Sequence, residues 1–322
     1  MERIRTTAAG SHIGERVRVQ GWLHNLRRLG GISFIILRDG WGTIQAVTED
    51  ETALAPLRDA NLAVETVLAI EGTVISNSQA PGGLELQSPR LEIITPVPTP
   101  PDIPLNKRAV NTALSNLLDH AVVLNRHPAR RAVFRLAAGA MLGFRRTLTA
   151  LGFTEIQSPK IVASATESGA NVFKIDYFGR PAYLAQSPQF YKQIMVGVFE
   201  RVFEVGPVFR AEPHDTTRHT NEYVSLDVEF GFIRDHFTVM AMLREALAGI
   251  WETLAEGYSA ELGLLEIALP PIPATIPHIH FSDAQELIYR QHGVDVRGEP
   301  DLSPQDERWL GEWARTEHES DF

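Results

Sequence analysis

Polar and ionisable residues cluster in one stretch of the 322-residue sequence, FRAEPHDTTRHTNEYVSLDVE, which runs from Phe209 to Glu229. The end of the stretch alternates apolar and polar residues, which places Asp227 and Glu229 on one face of a predicted strand. Arg210 and Glu212 are also two residues apart, so a cation and an acid project together from the preceding strand. The segment between the two runs is too polar for a core. The stretch therefore predicts a hairpin whose ionic groups contact a phosphate and a base.

Three short patterns occur in order within this stretch: FRxE, then TxRHxxE, then a strand that contains DxE. Each residue alone is also typical of a solvated sheet face, where charges pair across strands for little net energy. Together the patterns resemble motif 2 of the class II aminoacyl-tRNA synthetases, and most closely that of the aspartate enzymes. The resemblance implies an ATP site, with Arg210 as the catalytic residue at the α-phosphate and Glu212 at the adenine amino group. It places Arg218 and His219 near the outer phosphates and Tyr223 against the adenine ring.

A second cluster lies upstream, in the segments TESGANVF and YLAQSPQFYKQIM. Ser187 is a preferred helix N-cap and Pro188 a preferred first-turn residue, so we expect a helix to begin there. Gln189 and Lys192 then share one face of its first turn. A lysine in that place can bind a carboxylate that a neutral amide cannot replace, although a surface lysine is the usual alternative.

The pattern QSPQxxK resembles that of the aspartate-specific members of the family, in which the lysine binds the side-chain carboxylate of L-aspartate. By that resemblance Lys192 selects aspartate over asparagine. Ser168 stands where the family usually has glycine, which bears on the geometry of the loop more than on the substrate class. The resemblance also implies four residues around the substrate ammonium: Glu167, Ser187, Gln189 and Asp227.

The reaction that the resemblance implies has two steps and needs no side-chain nucleophile. The α-carboxylate of aspartate attacks the α-phosphorus of ATP, and a terminal ribose hydroxyl of tRNA(Asp) then takes the aspartyl group. Positioning, arginines and Mg²⁺ supply the catalysis. Glu229 is the candidate metal ligand, with a structural pairing as its alternative. Charging of tRNA(Asn) as well stays open, because His24 and the Pro81–Gly82 turn resemble forms that accept both tRNAs.

Composition narrows the class of protein. The absence of cysteine excludes disulfide scaffolds, thiolate metal sites and cysteine nucleophiles. No signal-peptide pattern and no run of membrane-spanning length occur, so we expect a cytoplasmic protein without membrane contact. The net charge of −10 argues against a nucleic-acid partner, but residues 16–38 carry five arginines and no acidic residue. These predict either a local cationic face for RNA or surface arginines without a partner.

Residues 16–95 are predicted to form about five short strands separated by glycine- and proline-rich turns. This pattern is typical of an OB-fold barrel that binds single-stranded nucleic acid, and an SH3-like barrel fits nearly as well. The resemblance implies five residues at the tRNA anticodon: Arg27, Arg28, Phe34, Gln45 and Glu85. Phe34 would stack on a base, and a buried place in the barrel is the alternative for this residue.

A proline-rich segment, PVPTPPDIP, follows the predicted strands and marks the main domain boundary. Beyond it, residues 129–151 have apolar residues at helical spacing and end at Gly152, as a C-cap would. A strand over residues 153–162 is predicted next, with Pro159 at an edge or in an interface. This unit resembles motif 1 of the same family, which implies a homodimer interface at Pro159, and a simple helix-turn-strand connection is the alternative.

The fold class that we predict is therefore α+β. A five-stranded OB-fold barrel at 1–100 binds the anticodon, a proline-rich linker spans 101–128, and a class II antiparallel-sheet catalytic domain flanked by helices spans 129–322. A glycine-rich motif 3 is not found before Phe322, so we expect an incomplete catalytic domain and weak or no activation of aspartate by this chain alone. Three functions stay open: aspartate–tRNA ligase, asparagine–tRNA ligase and a truncated RNA-binding paralogue without catalysis.

Overall fold

The computed structural model of the protein describes residues 2–107, 110, 112–166, 171–213 and 220–322. The chain divides into two compact units, Met1–Arg131 and Ala132–Phe322. The residues predicted as barrel and as linker therefore lie in the first unit. In the part of the chain that is described, no helix has the length and apolar character needed to cross a membrane.

Within the described residues, the first unit is built on one β-sheet and three short α-helices. Its strands are β1 (Arg3–Ile4), β2 (Arg16–Leu29), β3 (Ile32–Arg38), β4 (Thr43–Thr48), β5 (Val67–Ser76) and β6 (Leu84–Thr95). Its helices are α1 (Ala55–Arg58), α2 (Leu114–Asp119) and α3 (Ala121–Leu124). The five predicted strands are confirmed, and β1 is an addition that the sequence pattern did not indicate.

The strands of the first unit close into a ring. The long strand β2 pairs with β5 over its first half and with β3 over its second half. β3 pairs with β4, β4 with β6, and β6 with β5, which completes the circle. A bulge between Leu23 and Asn25 lies where β2 changes partner, and bulges bend strands in this way. The interior is filled by fully buried side chains such as Ile35, Leu37 and Leu68.

The second unit combines six helices with six strands in the described residues. The helices are α4 (Pro128–Ala150, which begins just before the unit), α5 (Gln189–Phe199), α6 (His236–Gly257), α7 (Ser259–Leu264), α8 (Phe281–His292) and α9 (Pro304–His318). The strands are β7 (Thr154–Glu155), β8 (Ile161–Val162), β9 (Lys174–Tyr177), β10 (Arg180–Leu184), β11 (Arg201–Phe209) and β12 (Glu222–Phe230). They form two sheets, in the orders β8-β10-β9 and β12-β11-β7.

Two predictions about these elements are corrected by the structure. The continuous strand over 153–162 is wrong, because β7 and β8 lie in different sheets and Pro159 falls in the irregular segment between them. A proline has no N–H to donate to a ladder, which favours such a break. The helix α5 begins at Gln189 with Pro188 as N-cap, one residue later than predicted. Ser187 still caps it in part, because its Oγ accepts the Gln189 N–H at 3.1 Å.

The hairpin of β11 and β12 has an apolar face that packs against α4 and α6. Phe203 lies on this face opposite Val228, and its ring meets that of Phe144 from α4 edge-on, with centroids 5.8 Å apart. Val228 and Phe230 join the same core. The same alternation puts Val224 and Leu226 on this face, but they are exposed. The core therefore supports the half of the hairpin nearest α4.

Close contact between α4 and α6 depends on glycine. A Cβ added to Gly143 in α4 would lie 2.7 Å from the Cα of Ile250 and 2.8 Å from the carbonyl oxygen of Gly249, both in α6. Backbone atoms of a second helix cannot move aside as a flexible side chain can. A larger residue at this position must therefore push the two helices apart.

We expect Gly143→Val to lower the free energy of unfolding of the second unit by about 1–3 kcal/mol through overpacking. Gly197→Ala is the matched control, because a Cβ at this helical glycine of α5 meets no atom within 4 Å. It should raise stability by about 0.5–1 kcal/mol, since alanine favours a helix over glycine. Urea unfolding followed by circular dichroism measures both values. Equal stability of the two variants would contradict the packing argument.

Candidate functional site

Ionic residues occupy the face of the β11–β12 hairpin that points away from the core. Glu229 lies opposite Val202, Asp227 opposite Glu204 and Tyr223 opposite Val208 in the antiparallel register, so these side chains share that face. We call it the ionic face. It brings together Asp227 and Glu229, as the alternation of the sequence predicted, and Tyr223 lies on the same face.

Lys192 projects from the first turn of α5 onto the ionic face and is only 5% exposed. Its Nζ lies 3.1 Å from Oδ1 of Asp227 and 3.6 Å from Oε2 of Glu229. Gln189, one turn earlier, donates from Nε2 to the same Glu229 oxygen at 3.3 Å. A buried ammonium needs acceptors, and here two carboxylates supply them. The predicted common face of Gln189 and Lys192 is thus observed.

The start of α5 is held by a residue that the sequence analysis missed. Oγ1 of Thr166 accepts the N–H of Gln186 at 3.1 Å and that of Ser187 at 3.3 Å. Ser187 is 6% exposed. A hydroxyl that binds backbone N–H groups leaves no periodic signal in a sequence, so this role of Thr166 could not be read from the pattern. The predicted ammonium ligand Glu167 lies outside the described residues.

Arg210 leaves β11 at the end of the ionic face. Its guanidinium carbon is 5.7 Å from the ring centroid of Tyr223, within cation–π range. Asn221, which was not predicted, donates from Nδ2 to the carbonyl oxygens of Arg210 at 2.8 Å and Glu212 at 3.2 Å. These bonds keep the backbone of the two residues beside Tyr223. Arg218 and His219 lie outside the residues that the structure describes.

The candidate metal ligand Glu229 faces donors rather than other acids. Its carboxylate contacts Gln189 and Lys192, as described above. Among the described residues, no three or more histidine, cysteine, aspartate or glutamate side chains converge as metal ligands would. The role of Glu229 at a metal stays a prediction. Pro159 is exposed, and its role in a dimer interface also stays a prediction.

In the first unit, Phe34, Gln45 and Glu85 lie on the face of their strands opposite the apolar core, where Phe34 is half-buried and Gln45 and Glu85 are buried. Gln45 and Glu85 are opposite each other, and Nε2 of Gln45 donates to Oε2 of Glu85 at 3.2 Å. Phe34 is half-buried and lies between Arg27 and Val47 in the next cross-strand row. Its neighbour Ile35, fully buried, fills the core instead, so the alternative of a core role for Phe34 is wrong.

Gln87 extends the row of Phe34 and was missed by the sequence analysis. It pairs with Val47 across β4 and β6. Its spacing of two residues from Glu85 could have indicated it, because residues i and i+2 of a strand share a face. An open groove of about 470 Å³ begins at Val47 and Gln87 and continues past Thr48 and Pro89. Arg28 lies apart from the row, exposed and 3.9 Å from Glu51.

The cationic face predicted for residues 16–38 is smaller than five arginines would make it. Arg18 donates to Glu71 at 2.8 Å and to Glu92 at 2.6 Å, which offsets its charge. Arg38 is 1% exposed and donates to the buried Glu65 at 3.0 Å. Proximity along the chain did not indicate which of these side chains point inward or meet acids.

His24 is half-buried and neutral near pH 7. Its Nδ1 lies 3.3 Å from Nη1 of Arg38, and since arginine can only donate, Nδ1 is the acceptor. Burial, and after it the positive charge of Arg38, lowers the pKa of His24 from 6.5 to about 4. The Pro81–Gly82 turn is a short 3-10 segment in which Gly82 has φ 76°, a conformation that favours glycine.

Two protein families match the chain. Residues 17–94 match the OB-fold nucleic acid binding domain, and residues 115–322 match the tRNA synthetases class II (D, K and N). The chain belongs to the class II tRNA synthetases. The predicted fold class, an OB-fold followed by a class II catalytic domain, is thereby confirmed, and the SH3-like alternative is wrong.

Curated relatives and solved structures agree with this assignment. The synthetase is 44% identical over 322 residues to an aspartate–tRNA(Asp/Asn) ligase of Deinococcus radiodurans, which covers 100% of this chain and 72% of that protein. It is 42% identical over 314 residues to that of Thermus thermophilus, with 97% and 72% covered. Its fold is similar to that of the asparaginyl-tRNA synthetase of Pyrococcus horikoshii complexed with asparaginyl-adenylate, with TM-score 0.87 and 28% identity. This match covers 97% of this chain and 72% of that chain. A putative aspartyl-tRNA synthetase of Leishmania major is also similar, with TM-score 0.84 and 26% identity. This match covers 99% of this chain and 72% of that chain.

We expect the synthetase to lose stability in acid through His24. Between pH 6.5 and about 4 the unfolded chain binds a proton at His24 that the folded chain does not, so lowering the pH favours unfolding. His24→Gln removes this titration and should flatten the fall in urea midpoint over that window. His120→Gln, at an exposed histidine, should keep the wild-type profile. An unchanged profile in His24→Gln would contradict the argument.

Proposed function

We propose that this synthetase is an aspartate–tRNA ligase, which activates L-aspartate with ATP and transfers the aspartyl group to tRNA. The observation that carries the proposal is the buried ammonium of Lys192 beside Asp227 and Glu229. An ammonium in a weakly screened place attracts a carboxylate far more than a neutral amide. The relatives named aspartate–tRNA(Asp/Asn) ligase support the same substrate.

The charges of aspartate match the groups around Lys192. The substrate ammonium would be bound by Ser187, Gln189 and Asp227. Glu167 belongs to the same proposed set. As Asp227 turns to the incoming ammonium, the charge of Lys192 becomes available to the side-chain carboxylate of aspartate. Every buried charge then has a partner before and after binding, which avoids the cost of an isolated buried ion.

ATP would bind at the end of the ionic face. Arg210 would hold the α-phosphate, with Tyr223 stacked on adenine and Glu212 at its amino group. Arg218 and His219 would contact the outer phosphates. The α-carboxylate of aspartate attacks the α-phosphorus and pyrophosphate leaves; a terminal ribose hydroxyl of tRNA then attacks the aspartyl carbonyl and AMP leaves. Positioning and stabilisation of charge on phosphorus supply the rate.

Mg²⁺ would accompany ATP, and one or two carboxylates beside the phosphates are enough to hold it. Glu229 is the one candidate ligand that we propose, and it already faces an amide and an ammonium. Mg²⁺ with nucleotides is held largely by phosphate oxygens and water. Glu229 would hold Mg²⁺ together with phosphate oxygens and water, and the ion would offset the negative charge of the phosphates.

The proposed RNA partner is tRNA(Asp), together with tRNA(Asn), because the two curated relatives are named for both. Phe34 would stack on an unpaired anticodon base, and Gln45 and Glu85 would bind base edges. Arg27 and Arg28, which are exposed, would contact phosphates. The match of residues 17–94 to a nucleic acid binding domain supports this partner.

We also propose that the protein forms a homodimer and is located in the cytoplasm. Pro159 is exposed. Exposed apolar side chains also lie along α4, at Val133, Phe134 and Leu142. Apolar surface of this kind is typical of a face that another chain covers. We therefore propose that α4 and the segment of Pro159 form the contact between two copies.

We expect Lys192→Met, in the protein expressed from its complete reading frame, to lower kcat/KM for aspartate in ATP–pyrophosphate exchange by about 100-fold or more. One partner of a buried charge cluster is lost, and the substrate carboxylate loses its cation. Lys174→Met, at an exposed lysine of β9, should leave kcat/KM within about twofold of wild type. Wild-type exchange with asparagine or lysine but not aspartate would overturn the proposed substrate. Unchanged exchange in Lys192→Met would remove its basis.

We expect Phe34→Ala to weaken binding of a labelled anticodon stem-loop of tRNA(Asp) by about 5- to 100-fold, because one stacked base loses its aromatic partner. Fluorescence anisotropy at fixed salt measures the dissociation constant. Ile94→Ala, at an apolar side chain that is 47% exposed on β6, is the control and should bind within about twofold of wild type. Equal loss in both variants would contradict a specific role for Phe34.

A further inference from the structure

A second ion pair lies on the ionic face, and the proposed chemistry does not use it. Glu204, in the middle of β11, is fully buried. Its Oε1 lies 2.6 Å from Nζ of Lys160. Its Oε2 accepts the hydroxyl of Ser158 at 2.7 Å, and Nζ of Lys160 also donates to that hydroxyl at 3.0 Å. The carboxylate is thus fully engaged by the two residues that flank Pro159.

Glu204 is the cross-strand partner of Asp227. Two carboxylates directly opposite each other on a sheet repel, and burial strengthens the repulsion because water no longer screens it. In this structure each has its own lysine, Lys160 for Glu204 and Lys192 for Asp227. If Lys160 lost its charge, Glu204 would compete for Lys192 and repel an incoming aspartate.

The backbone of Lys160 continues towards both substrate sites. Its carbonyl oxygen accepts the N–H of Ala185 at 2.9 Å, and the carbonyl oxygen of Ala185 accepts the N–H of Phe209 at 2.9 Å. Ala185 lies two residues before Ser187, and Phe209 directly precedes Arg210. The ion pair therefore fixes a segment that is bonded to the start of the aspartate site and to the strand end that carries the catalytic arginine.

Gly206 makes room for this ion pair. It follows Glu204 by two residues and points to the same face of β11. A Cβ added there would lie 2.9 Å from Oε1 of Glu204 and 3.5 Å from Cε of Lys160. The volume that a side chain would fill at this position is thus taken by the paired charges.

We propose that Lys160 and Glu204 are positioning residues for aspartate binding. They neutralise the charge opposite Asp227 and hold the segment that orients Ser187 and Arg210. The inference rests on the proposed function, because it concerns the affinity of the same pocket for aspartate. It predicts that the two residues act as one unit, so that loss of either charge is harmful and loss of both is much less so.

The test measures KM for aspartate, KM for ATP and kcat of pyrophosphate exchange in Lys160→Met, Glu204→Gln and the double variant, each expressed from the complete reading frame. Each single variant should raise KM for aspartate by about tenfold or more and KM for ATP by less, since an uncompensated charge is left opposite Asp227. The double variant, without either charge, should return KM for aspartate to within about threefold of wild type. Arg290→Met removes a partner of Glu286 at 2.8 Å within α8, outside the ionic face and outside the proposed contact between copies, and is the matched control.

Melting temperatures of the same proteins separate positioning from stability. A merely structural pair would lower the melting temperature and leave KM for aspartate unchanged below it, and this result would overturn the proposal. Equal loss in the double variant and the single variants would also overturn it. If a single variant does not fold, recovery in the double variant still tests the coupling of the two charges. A wild type without aspartate-dependent exchange would refute the proposed function itself, whereas an active wild type with unaffected variants refutes only the positioning role.

Discussion

A carboxylate that leaves water needs a cation or several hydrogen-bond donors, and the ionic face of β11 and β12 is arranged around that requirement. Asp227 and Glu204 lie opposite each other, and each meets its own lysine. The two lysines come from different parts of the chain, Lys192 from α5 and Lys160 from the segment after β7. Keeping the charges matched therefore fixes where both segments lie. The apolar face of the same hairpin, packed on α4 and α6, supplies a rigid support behind them.

Features that repeat along the chain could be predicted from the sequence. The alternation in β12 indicated that Asp227 and Glu229 share a face, because the side-chain period of a strand is two. The spacing of Gln189 and Lys192 indicated a common face of a helical turn. Glycine and proline turns delimited the five strands that close into a ring. Each of these patterns depends only on the geometry of neighbouring residues along the chain, so the sequence is enough to predict it.

Features that depend on contacts between distant segments could not be predicted in this way. Glu204 lies in the run VFEVGPVF, which indicates a buried strand but not the cation that makes a buried acid tolerable. The segment around Pro159 has the composition of a strand, yet Ser158 and Lys160 bind Glu204 instead of extending a ladder. The sequence indicated Arg38 as part of a cationic surface. It is buried instead, because it donates a hydrogen bond to Glu65, which lies in the connection before β5.

The alternation of β12 also constrains how the hairpin can form. A shift of one residue in the pairing moves every side chain to the opposite face. Asp227 and Glu229 would then enter the apolar core, while Val228 and Phe230 would turn to the lysines. Both exchanges are unfavourable, so the two strands have one acceptable alignment. Asp227, which we assign to aspartate binding, and Glu229, the candidate metal ligand, thus also select the correct pairing while the chain folds. A neutral substitution at either position would relax that selection in the newly made protein.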